Sequence, residues 1–153
     1  MRSEGPGGLG AKITLMARYF GIDEANELLA DVQPLLEQLK ADRDRVAALQ
    51  PLIEKGQKSN GSSEHAEQLA EMEREQRHAV RRMQYAVSQI DEWGVTLRDI
   101  NTGLIDFPAL ASGRPIWLCW RMGEGNTINW WHDTDKGFDS RQPLTELGQG
   151  GRA

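Results

Sequence analysis

Apolar residues recur along this chain with two different periods, and the change between them falls near Gly94. From Ile22 onward Leu28, Val32, Leu35, Leu39, Val46, Leu49 and Ile53 are spaced by three, four or seven residues, a helical stripe broken only near Asp42. Gly21-Ile22-Asp23-Glu24 supplies a capping box with glycine at the cap and acids in the first turn, and Phe20 is placed to staple against Ala25. Pro34 and Pro51 lie inside the run. Each removes an amide donor and crowds the carbonyl one turn back, so the pattern predicts kinks or short breaks and two or three helical pieces. The polar segment Gly56 to Ser63 reverses the chain, and a second helix starts near Ser63, whose hydroxyl caps it. There Leu69, Met72, Gln76, Val80, Met83, Val87 and Ile90 alternate spacings of three and four, matching the seam of an antiparallel partner, until Gly94 ends the run. Two such helices make a hairpin arm about 45 Å long at about 1.5 Å per residue.

After Gly94 the period falls to two. Val95 and Leu97 alternate with Thr96 and Arg98, Asn101-Thr102-Gly103 turns the chain, and Leu104 to Phe107 forms a second strand that Pro108 should end. Ser112-Gly113-Arg114 makes another turn, and the stretch PIWLCWRMGEGNTINWWHD from Pro115 to Asp133 reads as a hairpin. Ile116, Leu118, Trp120 and Met122 share one face of its first arm, with Trp117, Cys119 and Arg121 on the other. Gly123 to Asn126 tolerates the positive φ of a tight reversal. Pairing Met122 with Thr127 then puts Trp117 opposite His132 and Cys119 opposite Trp130, whereas a slip of one residue would reverse every face. Ile13 to Phe20 could add a further strand, and the tail after Asp133 has turn residues without a period. The fold class is therefore α+β: a long antiparallel helical hairpin packed on a small antiparallel sheet of about four strands.

A chain of 153 residues supports one domain with a proper core. The expected division is a disordered arm over 1–12, a single α+β domain over 13–144 (hairpin 22–93, sheet and tail 94–144) and a disordered tail over 145–153. Net charge is -5, and the segment 22–93 holds 15 acidic against 9 basic residues, so the acidity belongs to the arm. That balance argues against nucleic-acid binding. The single cysteine cannot close an internal disulfide, which points to the cytoplasm, and no run is apolar enough to span a membrane. Leu49, Leu52, Ile53, Leu69 and Met72 collect near the arm's far end, and covering them predicts a homodimer.

The stretch from Pro115 to Asp133 holds four of the five tryptophans, the only cysteine and one of three histidines. Trp117 and Trp130 suit a stacking surface, while Arg121 and Arg141 suit the planar, bidentate recognition of an anion. His132 and Asp133 adjoin but face opposite ways on a regular strand, so they form no automatic acid–base pair. The candidate ligand-binding set is Asp106, Trp117, Arg121, Trp130, His132, Asp133 and Arg141. The plain alternative for His132 is a structural histidine, and for Cys119 a small buried hydrophobe. A metal site at Cys119 and His132 would need Asp106, Asp133 or Asp135 as well, and none is predicted. No recognised catalytic signature is present, and the sequence fixes neither a cofactor nor an enzyme class.

YFGIDEANELLADVQPLLEQL, a charged helix, then GLIDFPA, LCWRMGE, WWHD and GFDSRQPL occur in that order, and together they resemble a family of small bacterial proteins of unknown function, over roughly Ala17 to Leu144. The resemblance implies that Asp106, Phe107, Pro108, Cys119, Trp120, Arg121, His132, Gly137, Phe138, Arg141 and Pro143 occupy motif positions. It implies no activity. Gly21, where a hydroxyl residue usually caps, and Pro51 depart from the family's pattern. Two functional readings follow. One is an accessory or interaction protein that self-associates through the arm and binds a protein partner or small anionic ligand on the Trp/Arg/His face. The other is a small enzyme or metal-binding protein with its site at Asp106, Cys119, His132, Asp133 and Arg141.

Overall fold

The structure is a computed structural model, and it describes residues 18–59 and 61–147. The helical periodicity produces α1 (Ile22–Lys58) and α2 (Ser63–Glu92). The alternating half produces β1 (Thr96–Asp99), β2 (Leu104–Ala111), β3 (Arg114–Arg121), β4 (Trp130–Asp133) and β5 (Gln142–Pro143), with α3 (Leu144–Leu147) as the last described element. The helices pack on each other as an antiparallel hairpin, and the five strands form one antiparallel sheet in chain order. This is the α+β class that the two periods imply. The predicted arm at 1–12 lies outside the described residues, as does most of the strand predicted over Ile13 to Phe20, whose last residues Arg18–Phe20 are irregular. The tail departs from its prediction where α3 begins, since Thr145–Leu147 is helical; residues 148–153 lie outside the described set.

On α1 the buried positions are Ala25, Leu29, Val32, Leu36, Leu39, Asp42, Leu49, Ile53 and Gly56. Spacings of three and four, with one of seven between Asp42 and Leu49, put these residues on one face of the helix, toward α2 and the sheet. Leu28 and Leu35, predicted in the stripe, flank it and pack on its edge. On α2 the fully buried residues are Ala79, Ala86 and Ile90, whereas Val80 and Val87, predicted in the seam, are exposed. Alanine at the seam lets the two backbones approach closely. Asp42 occupies one seam position and accepts the Arg82 guanidinium from α2 at 2.8 Å, which explains a polar residue where the stripe breaks.

Neither proline divides α1, which is a single helix of 37 residues. Both face solvent, where water can take a freed carbonyl, and the α2 contacts on the opposite side hold the helix through the gap. Gly56 to Lys58 is helical too, so the reversal is shorter than predicted, and the cap of α2 is Ser62, whose hydroxyl accepts the His65 amide, instead of Ser63. At the start of α1 half of the predicted box forms, with the Gly21 amide donating to Glu24 Oε1; glycine has no side chain to supply the other half.

Pro108 does not end β2, which runs three residues further. β1 reaches only as far as Asp106, so beyond it one flank of β2 has no strand partner. The Pro108 carbonyl takes the Phe20 amide at 2.7 Å on that flank, and the missing proline N–H belongs to the same side, where the ladder requires none. Ser112 and Gly113, with φ of 53° and 81°, form the tight turn into β3. The tryptophan hairpin has the predicted register, Trp117 opposite His132 and Cys119 opposite Trp130, but not the predicted tight reversal: Met122 does not pair with Thr127, and residues 122–129 form a loop because Ile128 and Gly125 are drawn to α1.

Register decides the faces. Ile105, Phe107, Ile116, Leu118, Trp120 and Trp131 turn inward onto Phe20, Ala25, Leu29, Val32, Leu36 and Ile90 at the base of the hairpin. The loop between β3 and β4 is tied to α1, because Asn26 Oδ1 accepts the Ile128 amide at 2.8 Å and Gln33 donates to the Gly125 carbonyl at 3.2 Å. The helices thus brace the sheet from one side and leave the outer face to the chain's last turns.

Candidate functional site

The outer face gathers Asp106 from β2, Trp117 and Cys119 from β3, and Trp130 and His132 from β4. Asp106 lies directly across from Cys119. His132 reaches over β3 from the far side, so its Nε2 comes within 3.1 Å of Asp106 Oδ2. Asp106 is 2% exposed and His132 1%. The carboxylate, thiol and imidazole each offer one donor atom, and these atoms lie within 4.8 Å of one another.

Arg98 joins them through a β-bulge. The pairing of β1 with β2 shifts between Leu97 and Asp99, making Arg98 the extra residue, and bulges commonly re-aim a side chain in this way. Its Nε donates to Asp106 Oδ2 at 2.8 Å, and its guanidinium lies 4.7 Å from the Trp117 ring. Asp106 Oδ2 therefore serves two neighbours. Oδ1, equally buried, has no hydrogen-bond partner among the described residues.

Hydrogen-bond inventory adds a constraint. His132 Nδ1 lies 2.9 Å from the Asp133 carbonyl, which only accepts, so Nδ1 carries its hydrogen. A neutral imidazole then presents a lone pair at Nε2 to Asp106 Oδ2, another lone-pair bearer.

The segment after β4 walls this cluster. Thr134, Asp135, Lys136, Gly137 and Phe138 join Arg98, Leu104, Asp106, Cys119 and His132 around a cavity of about 340 Å³. Beside it, Arg141 is held between the Trp130 and Phe138 rings at 4.8 and 4.1 Å, is paired to Glu124 at 2.8 Å, and lies 3.9 Å from Cys119 Sγ. Burial, and then the nearby Asp106 carboxylate, push the Cys119 thiol up to about 12, and Arg141 offsets this only in part. In the free protein that sulfur is a thiol at neutral pH, not a nucleophile.

Of the predicted ligand-binding residues, Asp106 and His132 line the cavity with Cys119. Trp117 and Trp130 share the outer face, but one side of each ring is taken by the chain's own Arg98 and Arg141. Arg121 lies 4.6 Å from the Phe138 ring. The Asp133 carboxylate turns away from His132 to pair with Arg114, and only its backbone carbonyl serves the imidazole. Sequence reasoning missed Arg98, Lys136 and Glu124. The bulge that aims Arg98 leaves no mark in the alternation, although the Arg98–Asp106 spacing across a predicted hairpin was available.

Residues 18–144 match the model of a family described as an uncharacterized conserved protein, DUF2203. The chain belongs to this family. The matched span runs from Arg18, just before α1, to Leu144 at the start of α3, so the DUF2203 unit includes the hairpin, the sheet and the cavity wall together. No curated protein matches the chain, and no solved structure does. Among the described residues no helix is long and apolar enough to cross a membrane.

Proposed function

We propose that this member of the DUF2203 family is an accessory protein that binds a small anionic ligand in the outer-face cavity, with the helical hairpin as a rigid brace. The observation that carries this reading is the cavity itself. Its volume of about 340 Å³ falls in the range of small-molecule sites, about 300–1,000 Å³, and its buried polar groups stand on three adjacent strands. Asp106 and Asp135 balance the charge of Arg98 and Lys136 in its lining, so what supports an anionic guest is the N–H groups that Arg98 keeps beyond its bond to Asp106, together with the Lys136 ammonium.

A thermal-shift screen of phosphate, sulfate and small carboxylates against wild type, Arg98→Ala and Lys136→Ala tests the reading. A ligand at 100 times its Kd adds about 2.7 kcal/mol, or about 5–10 °C in Tm for a domain of this size. The expected result is a shift of that order that weakens in both variants. Uniformly flat responses of the wild type would remove the reading.

Self-association through the arm is a separate proposal. Leu49 and Ile53 are buried within the hairpin, so the predicted patch keeps the exposed Leu52 and the half-buried Leu69 and Met72, with Val80, Tyr85 and Val87 exposed further along α2. Light scattering that gives a monomer at micromolar concentration removes it.

A further inference from the structure

We infer that Asp106, Cys119 and His132 form a site for a divalent transition-metal ion of the zinc type, with one coordination position left open to the cavity. The inference rests on the cavity reading above and names what anchors a ligand there. It stands on four features of the same cluster.

First, the donor set is chemically selective. A thiolate and an imidazole prefer zinc and its softer neighbours to magnesium or calcium, and a single carboxylate is compatible with both groups of ions. Second, the spacing is close to what such an ion needs. Bonds of about 2.0–2.3 Å to a tetrahedral centre put ligand atoms about 3.3–3.8 Å apart. The three atoms here already lie within 4.8 Å of one another, so shifts of about 1 Å, within reach of small side-chain rotations, close the site.

Third, the supporting bonds are in place. His132 Nδ1–H donates to the Asp133 carbonyl at 2.9 Å, the outer bond that metal-ligating histidines usually make, and it leaves the Nε2 lone pair facing the cluster. Asp106 Oδ2 is steadied by Arg98 at 2.8 Å while Oδ1 is buried and unpartnered. An orphaned carboxylate oxygen is costly in the interior, and coordination removes that cost. Fourth, three protein ligands are one fewer than a closed structural zinc site uses, and the ten residues around the cavity provide space for a fourth.

The binding step balances simply. The Cys119 S–H bond breaks, a sulfur–metal bond forms, and one proton leaves to solvent. A dication with one carboxylate and one thiolate is then neutral, and Arg98 leaves the neighbourhood at +1. The open position therefore favours an anionic fourth ligand, which connects the metal to the small anion proposed above.

The test uses the full chain after chelation and dialysis, titrated with cobalt(II) as a spectroscopic substitute for zinc. The expected result is one equivalent bound, with a near-ultraviolet thiolate-to-cobalt charge-transfer band and proton release seen as a buffer-dependent heat. Cys119→Ser should abolish the band, His132→Gln should weaken binding at least tenfold, and Glu54→Gln, exposed on α1 away from the site, should leave both unchanged. Absence of a charge-transfer band in the wild-type chain overturns the inference outright, whatever the folding of the variants. If the band is absent but an anion still raises Tm through Arg98 and Lys136, the metal inference alone fails. If the band appears and no anion responds, the metal site stands and the anion reading fails.

Discussion

Replacing Cys119 by alanine should change how the metal-free protein responds to alkaline pH, and the size of the change follows from the thiol's surroundings. Burial and the Asp106 carboxylate hold the folded thiol near 12, against an ordinary value of 9.0. Above pH 9 the unfolded chain releases this proton while the folded chain keeps it, so the unfolded state binds fewer protons and stability falls as pH rises. The loss grows from about pH 9 and levels off near 12. At pH 10 it amounts to about 1.4 kcal/mol, one pH unit at 2.303RT. Urea denaturation at pH 8, 9 and 10, in the presence of a chelator, measures it. Other groups titrate alike in wild type and Cys119→Ala, so the difference between their pH slopes isolates the thiol. The variant should start somewhat less stable because a buried sulfur is lost, and the gap should close by about 1.4 kcal/mol by pH 10. Parallel slopes would show that the sulfur is not desolvated, and the account of the site's interior would be wrong. Saturating zinc should abolish the loss above pH 9, because the bound sulfur has already lost its proton and the unfolded thiol loses its own in the same range.

The phase of the helical seam makes a second prediction: Ala79→Leu should destabilise by about 1–3 kcal/mol through overpacking, while Val80→Ala should stay within about 0.5 kcal/mol, both read by urea denaturation. If Val80→Ala proves the more damaging of the two, the seam is misplaced. Gly103 has φ of 66°, and an added Cβ there would lie 2.4 Å from Met122, so Gly103→Ala should lose at least about 1–2 kcal/mol. Combining it with Met122→Ala should recover only the steric part of that loss, and full recovery would contradict the backbone argument. Phe107 is fully buried and meets Phe20 edge-on with ring centroids 5.4 Å apart, so Phe107→Ala should cost about 3–5 kcal/mol and lower Tm accordingly. A loss below about 1 kcal/mol would mean that the sheet does not close on the hairpin's base in this way.

The outer face was legible in the sequence because it depends on local rules. Glycines bracket the reversal, alternation fixes the faces, and the register that sets Cys119 opposite Trp130 follows from counting back from the turn. The helical stripes were legible in period but not in phase. Leu28-Leu29 and Leu35-Leu36 satisfy the same spacing at either phase, and on α2 the close seam takes Ala79 and Ala86 although Val80 and Val87 are more hydrophobic. Hydrophobicity alone favours the larger residue, whereas two helices in contact favour the smaller. Pro34, Pro51 and Pro108 were read by their local cost. Where each one sits, on a solvent face or beside a vacant strand flank, depends on partners far away in sequence. The same limit applies to the site. Asp106 and His132 were identified by type, but their meeting across β3, the bulge that brings in Arg98 and the Glu124 carboxylate that occupies Arg141 are long-range facts.

The account turns on whether three buried side chains from three strands share one cation. A crystal structure of the protein grown with zinc, with diffraction recorded on both sides of the metal's absorption edge, tests this most directly. The prediction is a single anomalous peak about 2.0–2.3 Å from Cys119 Sγ, His132 Nε2 and an Asp106 carboxylate oxygen, with a fourth ligand on the cavity side. A map with no peak there, and with the imidazole and carboxylate still hydrogen-bonded to each other at saturating zinc, would contradict it.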